Sequence, residues 1–141
     1  CAPLSGPLIS LMNKVKGIRL MRDPTRGGVA TTLNEFVKQN GEIGIELLEN
    51  LIEYDKNSKA LADILGIDLL YSACEGRALI ICSAESADAA VGELKKFEET
   101  AGAKVIGYAS HKNKGRVVIK TSVGGARILD MQVLEQFPRI C

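Results

Sequence analysis

Hydrophobic positions follow two different periods along this chain, one typical of helices and one typical of strands. Apolar side chains recur at helical spacing in four segments, residues 5–14, 29–40, 58–65 and 87–101. A glycine follows each of the last three segments, at positions 41, 66 and 102, and glycine is a common helix stop. We therefore predict four helices, with N-caps that include Ser5, Ser86 and either Asn57 or Ser58.

Shorter segments, either alternating or continuously apolar, predict six strands. They cover residues 18–21, 43–48, 77–83, 104–109, 116–121 and 126–129. Residues 77–83 are the most hydrophobic of these segments, which indicates a central strand. Residues 122–125 read Ser-Val-Gly-Gly, and the two glycines supply the positive φ angles of a tight hairpin turn between the last two strands.

This order of elements predicts the α+β class, because strands and helices interleave and the chain then finishes in a hairpin. A chain of 141 residues is long enough to bury one core. We predict a mixed β-sheet covered by helices in one domain, residues 1–130, followed by an extended and mobile C-terminal tail, residues 131–141.

The composition argues against nucleic acid and membrane as partners and against a signal peptide. Net charge is +1 and tryptophan is absent, so the chain has neither a basic field nor the aromatic surface that nucleic acid binding uses. The longest apolar run, residues 78–82, is far shorter than a membrane span. No signal peptide is visible, and because the chain starts with Cys1 instead of methionine, we expect a piece of a longer protein.

The cysteines predict a reduced cytoplasmic protein. Cys1, Cys74, Cys82 and Cys141 lie far apart, without any C-x-x-C pair, which fits neither a zinc knuckle nor a secreted disulfide framework. Cys82 lies inside an apolar segment and is interpreted as a core residue. The single histidine, His111, excludes a multi-histidine metal centre, and we predict no metal site.

The loop at residues 23–28 is a candidate anion site. It reads Asp-Pro-Thr-Arg-Gly-Gly and lies between a predicted strand and a predicted helix. Its glycines let backbone amides approach a ligand, and a helix N-terminus favours negative charge. Arg26 is suited to fork onto phosphate, and Asp23 to hold a metal-bound phosphate or a polar substrate atom. A capped turn without a ligand is the alternative, and local chemistry alone favours it.

Two further positions carry candidate chemistry. Glu75 precedes the predicted central strand and is followed by glycine, a place suited to a general base, although pairing with Arg77 is the commoner fate of such a glutamate. The chain ends in Pro-Arg-Ile-Cys, which puts the thiol of Cys141 on the last residue. The tail alone leaves two interpretations open, a travelling sulfur carrier or a frayed end with an incidental cysteine.

Three motifs together resemble one family. They are Met-Arg-Asp-Pro-Thr-Arg-Gly-Gly-Val-Ala at residues 21–30, Glu-Gly-Arg at residues 75–77, and the closing Pro-Arg-Ile-Cys at residues 138–141. The chain resembles the C-terminal half of the HypE family of hydrogenase maturation proteins, in the AIR synthetase-related (PurM-like) superfamily. The resemblance covers essentially the whole chain and implies the C-terminal fold of that superfamily.

The resemblance also implies a reaction. In the family, the C-terminal cysteine accepts a carbamoyl group from HypF and, with ATP, the S-carboxamide is dehydrated to a thiocyanate. The cyano group then passes to iron on a HypC–HypD scaffold as a ligand of [NiFe] hydrogenase. Carried over, Cys141 is the carrier and Glu75 the base that deprotonates the carboxamide. The loop facing the ATP site comprises Asp23, Thr25, Arg26, Gly27 and Gly28.

The resemblance also implies which functions this chain lacks by itself. The ATP-binding half of the family is missing here, so ATP and Mg are expected in the complete, homodimeric protein and neither cofactor nor activity in this piece alone. Many relatives have Asn where this chain has Cys74, and a thiol cannot replace the amide's donors and acceptor. Two alternatives stay open: a non-catalytic module that presents a thiol tail to maturation partners, and a domain of a related ATP-dependent synthetase or kinase. Neither nucleic acid nor membrane is an expected partner.

Overall fold

A computed structural model describes residues 3–131 and confirms the α+β class. The helices are α1 (Ser5–Lys14), α2 (Gly28–Asn40), α3 (Lys56–Leu65) and α4 (Ala87–Leu94). The strands are β1 (Ile18–Arg22), β2 (Gly44–Leu48), β3 (Leu79–Cys82), β4 (Gly107–Ser110), β5 (Val117–Lys120) and β6 (Ala126–Leu129). The predicted extended and mobile tail, apart from its first residue, lies outside the described residues.

The described chain divides into two compact units. The first contains the residues up to Asp23 together with Glu75–Val105, and the second contains Pro24–Cys74 together with the residues from Ile106 onward. The chain therefore passes from one unit to the other between Asp23 and Pro24, and returns between Cys74 and Glu75. Both passages fall inside motifs that carry candidate chemistry.

The first unit pairs β1 with β3 and packs them against two helices. The two strands are antiparallel, with Arg22 opposite Leu79. Ile80 and Cys82 of β3 pack on a core whose buried members are Leu11, Ala90 and Leu94 of α1 and α4. Within the described chain β3 pairs with β1 alone, so the prediction of a central strand is wrong there. The residues of β3 are apolar because they pack on helices α1 and α4, and not because other strands lie on both of its edges.

The second unit contains the predicted mixed sheet, with strand order β4-β2-β5-β6. β2 and β5 are parallel, and the other two pairings are antiparallel. Ile45 and Leu47 lie opposite Val117 and Ile119, and all four side chains are buried on the face that α2 covers. The hairpin of β5 and β6 is confirmed, although of its two turn glycines only Gly124 has a positive φ.

Helix ends depart from the sequence predictions because other polar groups compete for them. The side chain of Asp55 caps α3 by accepting the Ser58 N–H at 2.9 Å, so Asn57 and Ser58 are not the cap. Leu4 instead of Ser5 is the N-cap residue of α1. Ser86 is the N-cap residue of α4 as predicted, although its hydroxyl bonds to that of Ser83 at 2.9 Å and makes no capping bond. α4 ends at Leu94, seven residues earlier than predicted. The Thr100 hydroxyl donates to the Leu94 carbonyl at 2.6 Å, which satisfies an acceptor at that end.

A buried carboxylate joins the two helices of the first unit. Glu93 of α4 is 5% exposed and accepts hydrogen bonds from Lys14 and Ser10 of α1, at 2.9 and 2.7 Å, and from Lys96 at 2.5 Å. The hydrogen bonds from Lys14, Lys96 and Ser10 lower the pKa of Glu93 from 4.5 to about 2. Charged partners on both sides therefore hold this carboxyl ionised.

Helix α2 begins where its backbone touches a neighbouring turn. Gly28 has φ +64°, and a Cβ placed on it would lie 2.4 Å from the Leu70 carbonyl oxygen and 2.6 Å from that of Ser72. Both the backbone conformation and the close approach require glycine. The start of α2 is thereby seated on the 3₁₀ turn Leu69–Tyr71.

Replacing Glu93 by glutamine should lower the thermal unfolding midpoint of this chain at pH 7, because the charge on which α1 and α4 converge is lost. The folded pKa lies below the unfolded value, so the contribution is present above pH 4.5 and is lost as pH falls towards about 2. Thermal melts at pH 7 and pH 2 check this, and the control is Glu99→Gln, which alters an exposed glutamate. An effect of equal size at pH 7 and pH 2 contradicts the account.

Replacing Gly28 by alanine should cost more stability than the same change at Gly41, which has φ +70° and no atom within 4 Å of an added Cβ. Gly41→Ala measures only the free-energy cost of placing alanine in a left-handed conformation, about 1–2 kcal/mol. Gly28→Ala adds the clash with the Leu70 carbonyl, about 1–3 kcal/mol more. Urea denaturation measures both differences, and equal losses would mean that the contact at Gly28 is unimportant.

Candidate functional site

The end of α2 at residues 27–30 presents donors that the helix itself cannot satisfy. Gly27 and Gly28 both have φ +64°, and the first bond of the helix runs from the Thr31 N–H to the Gly27 carbonyl at 3.2 Å. The N–H groups of Gly28, Val29 and Ala30 precede that bond and have no acceptor within the helix. Gly27 is the N-cap residue and has no side chain that could accept from these N–H groups. This helix end therefore favours a negatively charged group.

Two buried hydroxyls lie beside these glycines. A Cβ on Gly27 would meet the side chain of Thr31, and Gly28 lies against the Ser72 carbonyl. Thr31 Oγ1 and Ser72 Oγ are buried and have no hydrogen-bond partner within residues 3–131. Sequence reasoning missed both, because a threonine in a helix and a serine in a turn give no signal of a site by themselves.

The structure brings the loop at residues 24–28 next to the segment that leads to Glu75. Pro24 is fully buried, and its carbonyl accepts the Cys74 N–H at 3.0 Å. Together with the seat of Gly28 on the Leu69–Tyr71 turn, this bond makes two separate contacts between the segments. Within the second unit, the loop is thus joined to the segment that ends at Cys74, fifty residues further along the sequence.

The remaining predicted residues lie as follows. Asp23, Arg26 and Glu75 are exposed, and Thr25 is half-buried. The Cys74 thiol is half-buried and donates to the Ser72 carbonyl at 3.3 Å. Cys141 lies outside the described residues, so its role as carrier stays a prediction, as do the roles of the other residues.

The remaining candidates from the sequence, Cys82 and His111, lie in environments that are common for their residue types. Burial raises the pKa of the Cys82 thiol, consistent with its place in the core of the first unit. His111 is exposed, and its Nδ1 lies 3.3 Å from the Glu42 carbonyl oxygen. Residues 3–131 hold no group of three or more histidine, cysteine, aspartate or glutamate side chains able to bind a metal. None of the helices described is both long and apolar enough to span a membrane.

Curated relatives match the chain end to end. The carbamoyl dehydratase HypE of Rhodobacter capsulatus is 40% identical over 141 residues, all of this chain and 41% of the relative. The carbamoyl dehydratase HypE of Azotobacter vinelandii is 37% identical over 98% of this chain and 40% of the relative. The chain therefore spans about two fifths of the length of these relatives.

Solved structures share the fold. A crystal structure of the hydrogenase maturation protein HypE superposes with a TM-score of 0.91 at 36% identity, over 99% of this chain and 45% of that one. HypE in complex with ATP gives 0.89 at 37% identity, over 99% and 43%. A HypE–HypF complex gives 0.85 at 35% identity, over 92% and 41%.

The family model described as AIR synthase related protein, C-terminal domain, matches residues 7–120. The resemblance drawn from the three sequence motifs is thereby confirmed. This chain belongs to the AIR synthase related family and is a C-terminal domain similar to that of HypE proteins.

Proposed function

We propose that this chain is the C-terminal part of an ATP-dependent carbamoyl dehydratase, in which Cys141 carries the carbamoyl group and Glu75 acts as the base. The observation that carries the proposal is the bond between the Pro24 carbonyl and the Cys74 N–H, at 3.0 Å. It holds the glycine loop, which is suited to phosphate, against the segment that ends at Cys74, directly before Glu75. A dehydration driven by ATP needs a phosphate site and a base.

The glycine loop supplies the anion-binding side of the site. The N–H groups of Gly28 to Ala30, which have no acceptor within the helix, and the exposed guanidinium of Arg26 fit a phosphate. ATP, when bound, converts the carboxamide oxygen into a leaving group. The likeness to a HypE structure in complex with ATP supports this assignment, and we assign the Mg ligands to the part of the relatives that this chain does not span.

Glu75 supplies the proton acceptor. Dehydrating a primary amide to a nitrile removes two N–H protons and one oxygen, so a base must act on nitrogen once the oxygen is activated. A carboxylate within reach of that nitrogen meets the need. Cys74 stands beside it with its thiol directed to the Ser72 carbonyl at 3.3 Å. We therefore give Cys74 no part in holding the carboxamide.

Cys141 supplies the carrier. A thiolate is a strong nucleophile, and residues 131–141 span up to roughly 35 Å when drawn out. That length allows the sulfur to enter a partner's site and return to its own. The partners in this scheme are HypF as carbamoyl donor and a HypC–HypD complex as acceptor of the cyano group. The first is supported by a similar chain that was solved as a HypE–HypF complex. We place the reaction in the cytoplasm, in a homodimer of the complete protein.

A different class of function remains a rival. In it, the domain only presents its thiol to maturation partners and catalyses nothing, so the groups around residues 24–28 and 72–75 serve the fold alone. A related synthetase or kinase with an incidental terminal cysteine is a second rival. Altering Glu75 separates the first rival from the proposal, and the ability of the unaltered protein to accept a carbamoyl group separates the second.

In the complete protein, Glu75→Gln should leave the carbamoyl adduct stranded on Cys141. Acceptance of the carbamoyl group needs no base from this site, whereas its dehydration should slow about 100-fold or more. Intact-mass analysis follows the adduct and its loss of one water after addition of ATP. The matched control is Glu98→Gln, another exposed glutamate of the first unit.

Normal dehydration by the Glu75→Gln protein would remove Glu75 from the mechanism and favour the presenting module. Absence of any adduct in the unaltered protein would favour the synthetase or kinase instead.

A further inference from the structure

Helix α3 has an apolar face that residues 3–131 leave uncovered. Leu61, Ile64 and Leu65 are 57%, 81% and 58% exposed. Within residues 56–65, all of which the structure describes, Ala62 alone is buried. Single exposed apolar side chains are normal on a protein surface, but a group of large ones in one place marks a surface that contacts something else.

The three exposed residues share one side of the helix. Ile64 and Leu65 follow Leu61 by three and four positions, the spacing that puts side chains on one face of an α-helix. The Lys59 ammonium pairs with the Asp63 carboxylate at 3.0 Å. These two residues lie two positions before and after Leu61, and therefore on the opposite side. The α3 face, defined as Leu61, Ile64 and Leu65, is thus apolar, and the ion pair of the helix lies away from it.

The helix has well-defined ends but little packing within the described chain. Asp55 caps its start, and Gly66 ends it with φ +67° while the Ile67 N–H donates to the Ala62 carbonyl at 2.9 Å. These contacts fix where the helix begins and ends. A helix of ten residues is only marginally stable in water by itself, because helix stability in proteins comes mainly from packing of the apolar face. We therefore expect another surface to cover the α3 face.

The relatives indicate where that surface comes from. This chain spans about two fifths of their length, so the larger part of a protein of that length lies outside it. A covalently attached part is present at high local concentration, whereas a separate partner is not. The larger part of the same polypeptide is therefore the favoured occupant of the α3 face.

The chemistry of the α3 face favours a permanent contact as well. Permanent interfaces are more hydrophobic than transient ones, and this face holds no charge that could steer a passing partner. The helix also leads directly into the segment whose Leu70 and Ser72 carbonyls contact Gly28. A contact on the α3 face therefore adjoins the segment on which the start of α2 is seated.

We propose that the α3 face packs against the part of the complete protein that this chain does not span, within the same polypeptide. The inference rests on the proposed function only in taking this chain as the C-terminal part of a longer protein. Packing there stabilises α3 and, through the segment that follows it, helps to hold the carbonyls that contact Gly28.

Thiol labelling of the complete protein tests whether the α3 face is covered. Ile64→Cys places a thiol on the face, and the matched control, Lys59→Cys, places one on the opposite side of the same helix. Each labelling rate is divided by that of the same thiol in denaturing urea, and mass spectrometry separates these thiols from the four native cysteines. Position 64 should label about tenfold or more slowly than position 59, because a covered thiol reacts only when the contact opens. Leu65→Cys repeats the measurement on the same face, and equal normalised rates at all three positions would overturn the proposal.

Photo-cross-linking identifies what covers the face. An aliphatic amino acid that carries a diazirine replaces Ile64 in the complete protein and keeps an apolar side chain there. The expected product is an intramolecular link to a peptide from the part that this chain does not span. A link to a second copy, a link to residues 132–141, or no link at all would overturn the proposal.

Neither measurement uses ATP or a carbamoyl donor, so the two proposals fail separately. A complete protein that forms the expected link but never dehydrates a carbamoyl adduct would refute the proposed function and leave this inference standing. A protein that dehydrates the adduct while its α3 face labels freely would refute this inference alone.

Discussion

The approach of the Gly28 backbone to the carbonyls of Leu70 and Ser72 is the constraint on which the second unit depends. Any side chain at position 28 would push the start of α2 away from the Leu69–Tyr71 turn. That turn runs on to Cys74, whose N–H bonds to the Pro24 carbonyl, and it carries Tyr71, which holds the end of β6. One glycine contact thus helps to fix the loop at residues 24–28, the segment up to Cys74 and the end of β6 relative to one another within the second unit.

The sequence predicted those elements whose hydrophobic period is clear and whose ends are marked by glycine. Helix α2 stops at Gly41 as expected, because that residue adopts a left-handed conformation unfavourable for other residues. α4 shows where this approach fails. Its apolar stripe continues to Phe97, but a hydroxyl six residues beyond the helix, that of Thr100, satisfies the Leu94 carbonyl. Periodicity carries no information about such a competing donor.

The candidate site likewise contains residues that the sequence indicated and contacts that it did not. The loop at residues 23–28 and Glu75 were visible in the sequence because their residue types suit phosphate binding and proton transfer. The contact between residues 24–28 and residues 70–74 was not visible, since it follows from one backbone hydrogen bond and from a glycine pressed against carbonyls. Thr31, Ser72 and Tyr71 were missed for a related reason. A polar side chain becomes noteworthy only once its burial and its partner, or lack of one, are known.

The central claim is that one sulfur, that of Cys141, both accepts the carbamoyl group and holds it while it is dehydrated. The most direct measurement is tandem mass spectrometry of the C-terminal peptide from the complete protein, after incubation with carbamoyl phosphate and HypF. A carbamoyl adduct on Cys141 that loses one water only after ATP is supplied to the purified protein is the result this account predicts. An adduct on Cys74 or Cys82 instead, or one on Cys141 that never loses water with ATP, would contradict it.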